Sequence, residues 1–269
     1  MTEQVDVAIV GAGFGGMYML HRAREAGMSA VVFERGSDVG GTWFWNRYPG
    51  ARCDVPSMEY SYQFSDELQQ EWEWSEKYAT QPEILRYAQH VAERFDLKRD
   101  IRFQTSVVSM HFDEADNSWL VTPSQGQQVR ARFVVTAMGC LSSANKPRFA
   151  NDDEFRGEVY HTGEWPTSGV NFAGKRVAVI GTGSSGIQAI PLIAQEAKHL
   201  SVFQRTPAYT IPAHNSPNTP EYVRSIKSNY AEFRAKNKTT RAALGGDTPT
   251  GTRGAIEVSD EELNETLEA

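Results

Sequence analysis

The stretch VDVAIVGAGFGG, residues 5–16, followed by AVVFE, residues 30–34, decides the fold. Residues 5–10 form a short apolar run rich in β-branched side chains, and an apolar pattern of helical period follows the glycines to about residue 26. The second run is a short buried strand by the same criteria, and it ends in the acid Glu34. Strand, glycine turn, helix, strand and acid in this order predict a Rossmann-like unit that binds a dinucleotide.

Each glycine of this turn has a physical task. Gly11 permits a tight turn, Gly13 lets the backbone approach a pyrophosphate, and Gly16 allows the helix to pack closely on the strand. The start of the helix offers unpaired N–H groups and the positive end of the helix dipole to phosphate. Glu34 can accept hydrogen bonds from both hydroxyls of an adenosine ribose. The structural alternative is a glycine-rich turn beside a surface glutamate, and the joint spacing disfavours it.

The pattern recurs in residues 175–186, KRVAVIGTGSSG, before an apolar helix and a second strand over residues 200–203. Where the first unit has an acid, the second has Gln204, and Arg205 and Thr206 come next. An acid would repel a 2′-phosphate, whereas arginine can donate two parallel hydrogen bonds to one. The second unit is therefore predicted to bind NADP(H), the alternative being an exposed arginine without a ligand.

Two such units with different ribose chemistry predict two different dinucleotides, FAD in the first and NADPH in the second. Residues 101–112, 119–122 and 129–135 alternate like a β-meander or hairpin inserted in a flavin domain, and residues 134–139 read as a strand that returns to it. The predicted fold class is α/β, with two Rossmann-like units, a small β-meander insertion and an incomplete second unit.

Composition excludes several functional classes. The net charge is −7, and residues 254–269 carry six acids without a Lys or Arg, which leaves −1 for the rest and no basic surface for nucleic acid. An apolar run long enough for a membrane span is absent, and the first residues do not resemble a secretory signal. Cys53 and Cys140 fit neither a metal site nor a disulfide framework, and a disulfide reductase is disfavoured because no CxxC follows the first motif. We expect a cytoplasmic protein.

Two motifs outside the glycine turns are more specific. Residues 41–54 read GTWFWNRYPGARCD, and residues 155–166 read FRGEVYHTGEWP. They resemble the fingerprints of Baeyer–Villiger monooxygenases at every fixed position, and the resemblance runs through essentially the whole chain. Related N- or S-oxygenating flavin monooxygenases carry Phe or Tyr where this chain has Trp165. Met138 is a small departure, since the family often has Thr there.

The resemblance implies site residues. It places His161 and Trp165 at a hinge where domain movement is coupled to turnover, and it makes Asp54 the partner of an arginine that lies over the flavin. On the flavin side, the implied residues are Gly11, Gly13, Phe14, Gly16, Glu34, Gly41, Thr42, Trp43, Asp54, Tyr60 and Val107. On the NADP side, they are Gly181, Thr182, Gly183, Ser184, Ser185, Gly186, Gln188, Arg205 and Thr206. Taken singly, His161 or Trp43 is more typical of a protein core, and only the joint spacing favours a functional role.

The implied activity is FAD- and NADPH-dependent insertion of one oxygen atom of O₂ next to a ketone carbonyl, which gives an ester or lactone. Two alternatives remain open: an N- or S-oxygenating flavin monooxygenase, and a non-catalytic nucleotide-binding remnant. The family's arginine and the later strands of the second sheet have no counterpart in the sequence. We therefore expect the printed chain to be inactive without a complementing C-terminal half.

The expected domain organisation has three parts. Residues 1–140 form the first portion of an FAD-binding domain, and residues 141–216 form a linker and the first part of an NADP-binding domain. Residues 217–269 form a helical segment and an acidic end of that second domain. Within this last part, the pattern predicts a helix over residues 219–243, a loop over 245–254, and a helix over 260–267 that Ser259 caps with Glu262 three residues on.

Overall fold

The computed structural model describes residues 2–207, 210, 212–244 and 257–268. The predicted α/β class is confirmed. The strands of these residues are β1 (Glu3–Val10), β2 (Ala30–Phe33), β3 (Ile101–Arg102), β4 (Val107–Asp113), β5 (Ser118–Pro123), β6 (Val129–Thr136), β7 (Arg176–Ile180) and β8 (His199–Phe203). The α-helices are α1 (Phe14–Glu25), α2 (Thr42–Trp45), α3 (Asp66–Glu71), α4 (Gln81–Arg94), α5 (Ser184–Glu196), α6 (Pro220–Lys227), α7 (Tyr230–Lys238) and α8 (Asp260–Glu268).

The first unit is a six-stranded sheet in the order β3-β2-β1-β6-β5-β4. Strands β2 and β6 both pair with β1 in parallel, and β4, β5 and β6 form an antiparallel meander. The two strands predicted over residues 129–135 and 134–139 are thus one strand, β6, which closes the meander and joins the nucleotide fold. It ends at Thr136, before the chain turns through Gly139 at φ +70°.

The strand predicted over residues 101–112 is also divided, into β3 and β4. After β3, Gln104 takes φ +53°, and its N–H donates to the carbonyl of Gly36 at 2.9 Å. Thr105 N–H donates to the carbonyl of Glu34 at 2.8 Å. These bonds replace a continued ladder, because the chain must pass across the end of β2 before it enters the meander.

Helix α1 forms because its apolar side chains recur on one face, which covers the parallel sheet. Met17, Leu20 and Ala23 are buried in one cluster with Val7 and Ile9 of β1. Burial of a side chain such as Leu20 contributes about 1.5–3 kcal/mol relative to exposure. The packing fixes the start of α1 against the carboxyl end of β1, which is where the glycine turn lies.

The second unit contains β7, α5 and β8, with the two strands parallel and adjacent. Its small core consists of Phe172, Ala189 and Ile193. Ile180 and Phe203, at the ends of the two strands, remain 65% and 58% exposed. In the part of the chain that the structure describes, this second sheet has two strands. No helix among the described residues combines the length and apolar character that crossing a bilayer would need.

The helix predicted over residues 219–243 is two helices, α6 and α7. Asn229 interrupts them, because its φ of −140° lies outside the helical range. Ile226, Tyr230 and Phe233 pack in a buried cluster that includes Trp74 and Tyr87 of the first unit. This placement differs from the expected assignment of residues 217–269 to the second unit.

The predicted helix at the acidic end is present as α8. Ser259 Oγ accepts the N–H of Glu262 at 3.2 Å, as the predicted cap requires. The loop predicted over residues 245–254 lies outside the described residues.

Candidate functional site

The first glycine turn has no room for side chains. Gly11 takes φ +102°, and a Cβ added there would lie 2.6 Å from the carbonyl oxygen of Ala137. A Cβ on Gly16 would lie 1.8 Å from the carbonyl oxygen of Gly11. Real Cβ atoms do not approach a carbonyl this closely, so the turn and the first helical turn of α1 require glycine. The backbone at Gly13 consequently leads into the N-terminus of α1 with its N–H groups uncovered by side chains of the motif.

Glu34 lies beside this turn, at the carboxyl end of β2. Its side chain is buried, and its two carboxylate oxygens accept the N–H groups of Ala12 at 2.7 Å and Gly36 at 2.6 Å. Each oxygen has a second lone pair, so the carboxylate retains capacity for further donors. Because Thr105 N–H bonds to the Glu34 carbonyl, Val107 at the start of β4 also lies near this end of β2.

The motif of residues 41–54 packs directly on the glycine turn. A Cβ on Gly41 would lie 2.8 Å from Gly13 Cα, and Gly40 N–H donates to the carbonyl of Ala12 at 3.0 Å. Thr42 follows as the first residue of α2. The sequence separates these glycines by more than twenty residues, and the fold brings their backbones into contact.

Aromatic side chains continue from this contact. Trp43 Nε1 donates to the hydroxyl of Tyr60 at 3.1 Å, and the two rings meet edge to face with centroids 5.8 Å apart. The Phe14 ring lies 5.6 Å from that of Tyr60. Three predicted site residues from different segments therefore form one aromatic group beside the start of α1.

Asp54 lies at the exposed end of this group. Burial and then the Asp54 charge raise the pKa of the neighbouring Cys53 thiol to about 11. The pKa of Tyr60 is raised as well, first by burial and then by the Cys53 and Asp54 charges, against the Trp43 hydrogen bond. Among the residues that the structure describes, none forms an ion pair with Asp54. The carboxylate thus faces solvent with its charge uncompensated by those residues.

A pocket of about 370 Å³ adjoins the aromatic group, between residues 59–63 and α7. The Tyr62 hydroxyl donates to the Phe14 carbonyl at 2.6 Å on one side of it. On the other, the buried Arg234 guanidinium donates to the Glu59 carbonyl at 2.8 Å and to Ser61 Oγ at 2.7 Å. Desolvation lowers the pKa of Arg234.

Sequence reasoning missed Tyr62 and Arg234. The available signal for Arg234 was its position four residues after Tyr230 and directly after Phe233, on the apolar side of a predicted helix. A charged residue there needs buried partners, and the structure supplies them from the first unit.

The second glycine turn repeats the first in its local geometry. A Cβ on Gly186 would lie 2.5 Å from the carbonyl oxygen of Gly181, which takes φ +99°. Added Cβ atoms at Gly181 and Gly183 would meet nothing within 4 Å. Ser184 and Ser185 form the first turn of α5. This turn is therefore open on the side where Ala137 and Gly41 pack against the first turn.

Three polar residues, Gln204, Arg205 and Thr206, directly follow β8. The Thr182 hydroxyl donates to Gln204 Oε1 at 3.2 Å, which places Gln204 beside the turn. Arg205 and Thr206 follow and are exposed. The structure thus places Gln204 beside the turn, and Arg205 and Thr206 continue from it as exposed residues.

His161 and Trp165 lie at the edge of the second unit. His161 Nδ1 accepts the N–H of Gly163 at 3.2 Å, at the start of a short 3-10 helix, Thr162–Glu164. The Trp165 ring packs 6.2 Å from Phe172, in the small core that Tyr48 of the 41–54 motif also joins. The structure therefore places Trp165 where the two units touch.

The combination of two glycine turns and the 41–54 motif points to one family. The model of flavin-binding monooxygenase-like proteins matches residues 4–221. The chain belongs to the flavin-binding monooxygenase-like family. This assignment agrees with the contact between the motif and the first turn.

Members of this family are similar to the chain over most of its length. Cyclohexanone 1,2-monooxygenase from Acinetobacter sp is 46% identical over 226 residues, which cover 84% of this chain and 41% of that protein. A Baeyer–Villiger monooxygenase from Pseudooceanicola batsensis is 44% identical over 241 residues, or 89% of this chain and 44% of the relative. The structure of oxidised steroid monooxygenase bound to NADP is 53% identical with a TM-score of 0.90, covering 98% of this chain and 50% of the other. The chain spans about half the length of these relatives.

Proposed function

We propose that the protein is an FAD- and NADPH-dependent monooxygenase of Baeyer–Villiger type, which uses O₂ to convert a ketone to an ester or lactone. The observation that carries the proposal is the contact between the Gly11–Gly16 turn and the 41–54 motif, since it joins a dinucleotide cradle to the aromatic group. The similarity to ketone-oxidising members of the family supports the same reaction.

The first unit fits FAD. A pyrophosphate needs uncovered N–H groups at a helix start, and Gly11, Gly13 and Gly16 leave the start of α1 bare. An adenosine ribose needs an acceptor for its hydroxyls, and Glu34 has free lone pairs at the end of β2. The residues proposed along the flavin are Phe14, Gly41, Thr42, Trp43, Asp54 and Tyr60, with the Val107 backbone toward the adenine.

The second unit fits NADPH. Added Cβ atoms at Gly181 and Gly183 meet open space, so a pyrophosphate can approach the start of α5. Arg205 and Thr206 are exposed donors next to Gln204, as a 2′-phosphate requires. The remaining residues proposed for this cradle are Thr182, Ser184, Ser185 and Gly186. Gln188 lies one turn further into α5, and its amide is bonded to the 41–54 motif.

When bound, NADPH supplies the hydride and FAD activates O₂. The chain's own residues orient the two cofactors and exclude water from them. The hydrogen bond from Trp43 to Tyr60 fixes two rings against Phe14, and these rings keep solvent from the space they line. Asp54 supplies a carboxylate at the exposed end of the group, and we propose that it holds an arginine supplied from beyond the described residues or from a complementing C-terminal half.

We also propose that His161 and Trp165 act on coupling between the units. Trp165 packs in the core that includes Tyr48, so movement of the second unit must displace it. His161→Ala should retain flavin and lower product formed per NADPH consumed. Loss of flavin together with unfolding would show that His161 only stabilises the fold.

The purified chain tests the proposal in two steps. Flavin absorbance after removal of free FAD should show a filled first site, and Glu34→Ala should abolish it. A colourless protein after reconstitution would favour a non-catalytic remnant. The second step incubates a ketone, NADPH and O₂ with the 269-residue chain, and separately with a form that extends beyond residue 269. Gas chromatography should detect ester or lactone at enzymatic rates from the longer form alone.

Matched substrates separate ketone oxidation from the N-oxygenating alternative. Trp165 favours the ketone, since the resemblance implies Phe or Tyr at this position in N-oxygenating flavin monooxygenases. An amine of similar size should remain unoxidised in the same assay. Amine oxide without ester would reject the Baeyer–Villiger assignment, and Asp54→Asn, which keeps the shape and removes the charge, should lower ester formation without releasing flavin.

A further inference from the structure

Gln188 of α5 is bonded to the first unit rather than to its own. Its Oε1 accepts the Tyr48 hydroxyl at 2.9 Å and the Arg52 N–H at 3.3 Å, and its Nε2 donates to the Arg52 carbonyl at 3.1 Å. The amide therefore uses both of its ends on the 41–54 motif. We call Tyr48, Gly50, Arg52 and Gln188 the interunit clasp.

Gly50 brings the two backbones together within the clasp. It takes φ +77°, and a Cβ there would lie 2.4 Å from the carbonyl oxygen of Gln188. A side chain at this position is excluded both by its backbone conformation and by the helix opposite. The contact is thus specific in shape as well as in hydrogen bonding.

Arg52 extends the clasp to the segment that leads from β8 to α6. Its guanidinium pairs with Glu76 at 3.6 Å, and Glu76 accepts a hydrogen bond from Asn215. Asn215 Oδ1 in turn accepts the N–H of Tyr78 at 3.0 Å. The backbone of Arg52 therefore contacts the second unit. Its side chain reaches the segment between β8 and α6 by way of Glu76.

The clasp lies between the two proposed cofactor regions. Gln188 is one turn into α5, so it moves as a rigid body with Ser184 and Ser185 at the start of that helix. Arg52 is two residues before Asp54. A displacement of α5 would therefore reach the Asp54 segment through three hydrogen bonds and one backbone contact.

From this geometry we infer that Gln188 is a positioning residue, which fixes the start of α5 relative to Asp54 and couples the second unit to the first. The catalytic meaning of this role rests on the proposed function. The position of the second unit does not, because it can be measured without turnover.

Pulsed electron–electron double resonance, which measures the distance between two spin labels, tests the inference on the full chain. Spin labels at Gln127→Cys in the meander and Lys198→Cys in the second unit, in a Cys140→Ser background, report the distance between the units; both positions are exposed and Cys53 is buried. The parent should give one narrow distance. Gln188→Ala should add a population with the units apart, and the ratio of apart to docked molecules should rise about fivefold or more.

Three further variants keep the test sharp. Gln188→Glu retains the accepting oxygen but turns a second carboxylate oxygen toward the Arg52 carbonyl, so its effect should be at least as large as that of Gln188→Ala. Tyr48→Phe keeps the ring and removes one hydroxyl, so its effect should be smallest. Gly50→Ala should shift the whole population, and adding Gln188→Ala should not restore it, because the new methyl meets the backbone carbonyl.

The matched control is Gln195→Ala, an exposed glutamine near the end of the same helix, which should leave the distance unchanged. Near-ultraviolet circular dichroism checks that each variant is folded. An unchanged distance in folded Gln188→Ala would overturn the inference, whatever the result for Gly50→Ala. Absence of flavin with a clasp-dependent distance would instead reject the proposed function and leave the clasp intact.

Discussion

The two glycine turns share a motif and differ in their surroundings. In both, the last glycine of the motif packs against the carbonyl of the first. An added Cβ would lie 1.8 Å from that carbonyl oxygen at Gly16 and 2.5 Å from it at Gly186. Around the first turn, Ala137 and Gly41 lie against Gly11 and Gly13, whereas a Cβ added at Gly181 or Gly183 would meet nothing within 4 Å. The motif therefore encodes the turn-to-helix contact, and tertiary neighbours decide whether the turn is walled.

The acid position differs in the same direction. Glu34 is buried and bonded to two backbone N–H groups, while Gln204 is exposed and bonded to Thr182. The first turn is part of a six-stranded core, and the second belongs to a two-stranded sheet among the described residues. The comparison indicates a fixed first site and an accessible second site.

The largest expected difference comes from alanine at the first glycine of each turn. Both positions have nearly the same positive φ, so strain should cost about 1–3 kcal/mol in each. Gly11→Ala should lower the free energy of unfolding by about 1–3 kcal/mol more than Gly181→Ala does, because its methyl meets the Ala137 carbonyl. Hydrogen exchange with mass spectrometry measures local opening of β1–α1 and of β7–α5 separately.

Gly15→Ala is the control for that pair. Its Cβ would lie 3.9 Å from the Ala137 side chain, at an ordinary contact distance, and alanine is favoured over glycine in a helix. This variant should be neutral or slightly stabilising. Equal losses at Gly11 and Gly181 would mean that the wall around the first turn has no energetic consequence.

The second expected effect is at the acid position. Glu34→Gln should cost about 1.5–3 kcal/mol, since a charge-assisted acceptor is lost and the new NH₂ faces one of the two backbone N–H donors. Gln204→Glu should change stability little, because the site is exposed. Urea unfolding followed by tryptophan fluorescence measures both. A larger loss for Gln204→Glu would reverse the assigned contrast between the two turns.

The third expected effect is on nucleotide preference. Arg205→Ala should weaken NADPH binding by about 1.5–3 kcal/mol, which corresponds to a KM about 10- to 150-fold higher. The KM for NADH should stay nearly unchanged. Arg176→Ala, an exposed arginine at the opposite end of the same sheet, is the control. Kinetics of flavin reduction with each nucleotide provide the measurement. Equal weakening of NADPH and NADH would remove the 2′-phosphate assignment from Arg205.

The smallest expected effect concerns the two thiols, of which Cys53 is buried and Cys140 is exposed. The pKa of Cys53 is raised to about 11 by burial and by Asp54, so about one thiol in a thousand is ionised at pH 8. Cys140 is exposed and should react with a disulfide reagent promptly, whereas Cys53 should react only on unfolding. Two fast thiols at pH 8 would show that the 41–54 motif is open to solvent.

The same shift gives a pH dependence with a definite sign. Because the pKa of Cys53 in the folded protein lies above the ordinary thiol value of 9.0, the stability contributed by neutral Cys53 is fully present below pH 9. It is lost as the pH rises toward about 11. Cys53→Ala should flatten this part of the stability profile, and Cys140→Ser should not.

Residue patterns by themselves determined the two β-α-β units, the family resemblance and the cap of α8. These features depend on contacts within a few residues, such as Gly16 against Gly11, or on side chains that recur at the period of a helix or strand. The contrast between an acid, Glu34, and an amide, Gln204, was also readable, since each follows its strand directly.

Only the tertiary structure decided which surfaces meet. Gln188 was predicted as a cradle residue, and the fold shows that its amide bonds to Tyr48 and Arg52, more than a hundred residues away. Helices α6 and α7 were assigned to the second unit, and their apolar faces pack on the first. Periodicity tells which face of a helix is apolar but contains no information about the partner, because that choice depends on shape and hydrogen bonding between segments far apart in the chain.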